Sequence, residues 1–128
     1  MSLSTIISGL SLTNSVLDKV LSKRGTKIEK KILAVSLMRK AINNTEAHLI
    51  ETNHMYTPNA NLSNMWNDAF TAMISIDKEL AWRLDSKSRF WSNPQKWLVE
   101  EIAMEAVPDL KELDEKCESI LVELDKRN

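Results

Sequence analysis

Residues 26–56 read TKIEKKILAVSLMRKAINNTEAHLIETNHMY, and the spacing of their apolar side chains decides the fold class. Ile28, Ile32, Val35, Met38, Ile42, Thr45, Leu49, Thr52 and Tyr56 follow one another at steps of three or four residues. That step places them along one face of an α-helix and excludes the two-residue alternation of a strand. Ala34, Leu37, Ala41, His48 and Met55 widen the stripe on one side, as in a helix that touches two neighbours. Thr26 and Glu29 have the Thr-x-x-Glu spacing of a capping box, in which the two side chains satisfy backbone N–H groups of the first turn. The stretch therefore predicts a helix over 27–56, stopped where Pro58 pushes Thr57 out of the helical region.

The same period extends to both sides. Ile6, Leu10, Val16, Val20 and Leu21 predict a helix over 3–23, weakened at Gly9 and ended by Gly25. Downstream, Trp66, Ala69, Met73, Ile76, Leu80 and Leu84 predict a single helix over 64–87 with Ser63 as its N-cap. A break over 88–93 follows. Asn93-Pro94 then opens a helix over 94–126, with Pro at the first position where its missing N–H costs nothing. Pro108 lies inside that last helix and leaves three forms open: a kink, two abutting helices, or a straight rod. Helices of this length joined by short connections favour antiparallel neighbours. The expectation is one all-α domain over 1–128, an up-down-up-down bundle of four long helices.

Composition agrees. Two glycines and three prolines leave little punctuation for a β-fold, while 43% hydrophobic and 27% charged residues suit a water-exposed globule. The lone Cys117 has no internal disulfide partner. No basic stretch precedes the apolar N-terminal residues, and the apolar-rich run 32–38 is far shorter than the ~20 residues of a membrane span. A cytoplasmic chain without a transmembrane segment is expected.

The residues of common catalytic sites do not assemble on these helices. Glu51 and His54 form one Glu-x-x-His, whereas a di-metal carboxylate bundle needs two, and His48 lies six residues from His54 on a different face. Cys117 falls in the core stripe between Leu113 and Leu121, with no base beside it in the pattern. No glycine-rich phosphate loop is present. The reading is a non-enzymatic chain with no cofactor and no metal.

Charge and aromatic placement supply the candidate contacts. Residues 1–40 carry a net of +6, residues 41–99 a net of −1 and residues 100–128 a net of −6. In the expected bundle the first and third connections share a pole, which gathers Lys23, Arg24, Lys27 and Lys31 with Arg89 and Trp91. The acidic half of the last helix would point the other way. Two readings follow: basic groups that offset helix dipoles, or a surface that docks a polyanion such as nucleic acid. Phe90 and Trp91 would either plug the open end of the bundle or stack on a ligand. Trp82 falls opposite Leu80 and Leu84, on the wet face, which suggests a contact with another protein or with a second copy of the chain. The alternative is that residues 90–91 fold back over it. The leading expectation is a protein-interaction or self-association domain forming a homo-oligomer. Polyanion binding through the basic turn, or membrane contact through the first helix, stands behind it.

Overall fold

A computed structural model of the chain describes residues 26–97 and 106–127, and every regular element among them is helical. They are α1 (Lys27–Glu51), α2 (Ala60–Met73), α3 (Lys78–Ser92), the single turn α4 (Pro94–Trp97) and α5 (Ala106–Arg127). The helix expected over 3–23, with Lys23, Arg24 and Gly25, lies outside the described residues, as does 98–105 of the expected last helix.

α1 begins as its sequence dictates. Thr26 is the N-cap, and its hydroxyl accepts from the Glu29 N–H at 3.1 Å and donates to the Glu29 carboxylate at 3.3 Å. The helix stops at Glu51, earlier than Pro58 suggests. Asn53 and His54 take left-handed φ values of 53° and 64°, and Thr52 bonds the His48 carbonyl through its hydroxyl at 2.9 Å. A left-handed residue cannot continue the helix, and Asn tolerates that conformation better than most side chains.

The third expected helix is corrected. Residues 64–87 are not one rod but parts of two helices, α2 and α3, separated by a turn at 74–77. Asp77 is the reason. Its carboxylate accepts from the Leu80 N–H at 3.0 Å, capping a new helix, and Glu79 lies in the first turn where the dipole favours an acid. α2 also starts earlier than expected, at the N-cap Asn59, while Ser63 instead donates to the Ser88 carbonyl at 2.8 Å. α3 runs on to Ser92, so the expected break over 88–93 shrinks to Asn93, and Phe90 and Trp91 occupy the last turn of α3. Pro108 is the third residue of α5.

Specific contacts give the helix directions. The buried Trp66 indole N–H of α2 donates to Thr45 of α1 at 2.9 Å, and Asn59 at the start of α2 meets His48 near the end of α1, so these two helices are antiparallel. Ser63–Ser88 and Phe70–Trp82 contacts make α3 antiparallel to α2. α5 is antiparallel to α1, with Lys31 beside Glu123, Arg39 bonded to Asp114 and Glu118, and Leu49 beside Leu110, and it is antiparallel to α3 through Arg83 and Lys87 with Asp109 and Glu112. One buried cluster lies between them, including Leu33, Met38, Ile42, Trp66, Met73, Leu84, Leu113 and Leu121. No helix among the described residues is long and apolar enough to cross a membrane.

Candidate functional site

The turn at Asp77 redistributes the predicted site. Because α2 and α3 form a hairpin, the end of α3 returns to the end of α1, where the Trp91 ring meets His48 edge-on at 5.3 Å. Lys27 and Lys31 sit at the other end of α1, a helix of 25 residues and therefore roughly 35 Å long. The expected basic pole is thus corrected: Lys27 and Lys31 are not brought together with Arg89 and Trp91. Lys31 instead shares a shallow cavity with Asp77 and Glu123. That places the acidic end of α5 beside the lysines rather than opposite them. The remaining members of the basic turn, Lys23 and Arg24, lie outside the described residues.

Trp91 is a core residue at 1% exposure. Its ring packs on His48, Tyr56 and Phe90, and its carbonyl accepts from the Asn59 N–H at 3.0 Å. The aromatic residues therefore close one end of the helices, one of the two roles the sequence offered. His48 belongs to the same closure. Asn59 Oδ1 accepts from the Leu62 N–H, which turns its amide nitrogen toward His48 Nδ1 at 3.1 Å, while His48 Nε2 lies 3.3 Å from the Thr57 hydroxyl. His54 lies beyond the end of α1 in its left-handed turn, exposed. Among the described residues no three metal-ligating side chains converge.

Cys117 is fully buried, and its pKa is pushed up to about 12, first by loss of hydration and then by Asp114 and Glu118, against the opposing charge of Arg39. A thiol held protonated in this way packs as a small apolar group and is a poor nucleophile at neutral pH.

Trp82 is where the sequence placed it, on the outer face of α3, and it is 49% exposed. Residues 90–91 do not cover it. Its ring instead leans on Phe70 of α2, with centroids 5.4 Å apart and planes at 44°. Ile74, the C-cap of α2 and first residue of the turn, is 36% exposed. The sequence reading missed this partnership, because Phe70 and Trp82 become neighbours only once the chain turns at Asp77. Charge is unevenly placed around the pair: Asp68 is the single ionisable residue among the 14 of α2, whereas on α3 Trp82 is flanked by Lys78, Glu79 and Asp85. Two flanking hydroxyls are already satisfied by their own helices, Thr71 on the Asn67 carbonyl at 2.9 Å and Ser86 on the Trp82 carbonyl at 3.1 Å.

No family model matches the chain, and no curated protein or solved structure does.

Proposed function

We propose that the chain is a non-enzymatic helical interaction domain that binds another protein chain through the Phe70–Ile74–Trp82 face of the α2–α3 hairpin. The scaffold in this reading is an up-down-up-down four-helix bundle of α1, α2, α3 and α5, supported by the antiparallel contacts between them. The observation that carries the reading is the half-exposed Trp82 leaning on Phe70. Protein interfaces are enriched in aromatic anchors, and this face presents an exposed tryptophan backed by a phenylalanine. Its hydroxyls need no new partner when water leaves, which lowers the desolvation cost. Polyanion binding has less support, since Lys27 and Lys31 are far from Arg89 and Lys31 shares its cavity with Asp77 and Glu123. A cytoplasmic location fits the reading but does not carry it.

Site-specific photo-crosslinking tests this. A benzophenone side chain at position 82 is expected to form covalent protein adducts in the cells the chain comes from, and the same group at the exposed Lys116 of α5 is not. No adduct at 82, or equal yields from both positions, would overturn the reading.

A further inference from the structure

The outer stripe of α3 is complementary to itself. Glu79, Trp82, Ser86 and Arg89 follow at steps of three, four and three residues, which keeps them on one face of the helix. All four are exposed. Their order is symmetric about the level of residue 84, with Trp82 and Ser86 flanking that level and Glu79 and Arg89 lying further out. When two such helices lie antiparallel across a two-fold axis at that level, each Trp82 faces Ser86 of the second copy and each Glu79 faces Arg89 of the second copy. A two-fold contact requires that kind of self-complementarity, because the same surface serves both partners.

The chemistry of each position suits the pairing. Ser86 is small enough to receive an indole, and its hydroxyl is bonded to the Trp82 carbonyl, so covering it buries no unsatisfied donor. The Arg89 side chain is 63% exposed and bonds Asp85 through Nε at 3.0 Å, while a guanidinium has five donors and can serve a second carboxylate. The stripe carries one acid and one base at its ends. A partner of single charge sign would gain at one end and lose at the other, whereas a second copy gains at both.

We infer that the partner seated on this face is a second copy of the chain, held in an antiparallel α3–α3 contact with Trp82 over Ser86 and Glu79 against Arg89. The inference rests on the interaction reading above and names its occupant.

Charge exchange between two variants tests it by sedimentation velocity. Glu79→Arg places Arg against Arg across the axis, and Arg89→Glu places Glu against Glu. Each variant alone is expected to dimerise at least about tenfold more weakly than the parent chain, a loss typical of an anchoring contact. An equimolar mixture restores the dimer, because every opposed pair is then one Arg and one Glu. Helical circular dichroism of each variant verifies its fold, and Trp82→Ala should abolish the dimer in the mixture. A parent chain that stays monomeric, or variants that dimerise no better mixed than alone, would overturn the inference. Adducts at position 82 with other proteins would in that event leave the broader reading standing.

Discussion

Replacing Trp66 by alanine will lower the stability of the folded chain by about 3–5 kcal/mol, the usual cost of deleting a large aromatic side chain from a packed core. Trp66 is wholly buried at 0% exposure in the middle of α2, against α1. Its indole N–H is bonded to Thr45 Oγ1, which in turn donates to the Ala41 carbonyl at 2.7 Å. Truncation removes the ring and leaves a cavity, while the Thr45 hydroxyl keeps its bond to Ala41. Domains of this size have only about 5–15 kcal/mol to lose, so the variant should be close to unfolded near body temperature. Thr45→Val separates the polar part of the effect: it keeps the packing and leaves the indole N–H buried without a partner, at a cost of about 1–3 kcal/mol. Urea unfolding followed by circular dichroism measures both. Trp82→Ala should change the stability of the dilute chain far less, because its ring is half in water and touches mainly Phe70. A Trp66→Ala midpoint no lower than that of Trp82→Ala would contradict the packing described.

The second large effect lies where α5 meets α3. Asp109 holds two cations at once, accepting from the Arg83 guanidinium and from Lys87 Nζ at 2.5 Å. Glu112 takes the other arm of Arg83 at 3.2 Å. Burial works against the Arg83 charge, but its hydrogen bonds with Asp109 and Glu112 outweigh that and raise its pKa above the ordinary value. Lys87 and Asp109 are only 13% and 19% exposed, so this group lies between the surface pairs that contribute little and the buried pairs that cost much to break. Asp109→Ala leaves two neighbouring cations partly buried without that carboxylate, and is expected to cost about 1–3 kcal/mol. High salt should recover part of the loss by screening. Replacing Asp109 and Lys87 together, as Asp109→Leu with Lys87→Met, should cost less than Asp109→Ala alone, since Lys87 is then no longer a charge without its carboxylate and Arg83 keeps Glu112. A double variant weaker than the single one in urea would show that the carboxylate is not what ties these helices.

Much of this architecture could be read before any coordinates. The Thr26–Glu29 cap, the apolar face of α1 and the outward position of Trp82 all follow from spacing within one helix. What failed was the long-range consequence of one turn. The apolar steps from Trp66 to Leu84 keep helical phase straight through 74–77, and no glycine or proline marks the break. The available signal was Asp77 followed by Glu79, an acidic helix start inside an apolar stripe. Because the turn reverses the chain, it moved Arg89 and Trp91 from the Lys31 end to the His48 end and dissolved the expected basic pole. The same reversal created the Phe70–Trp82 pair, a contact between helices that no periodicity within one helix can reveal.

Hydroxyl-radical footprinting across protein concentration tests most directly whether the Trp82 face is a contact between copies. The account predicts fast oxidation of Trp82 in dilute solution, slow oxidation of the buried Trp66 and Trp91, and a Trp82 rate that falls as concentration rises. Met55, 64% exposed in the turn after α1 and outside the α3 stripe, should stay constant as the internal standard. A Trp82 rate that is slow at every dilution, or that never responds to concentration, would contradict it.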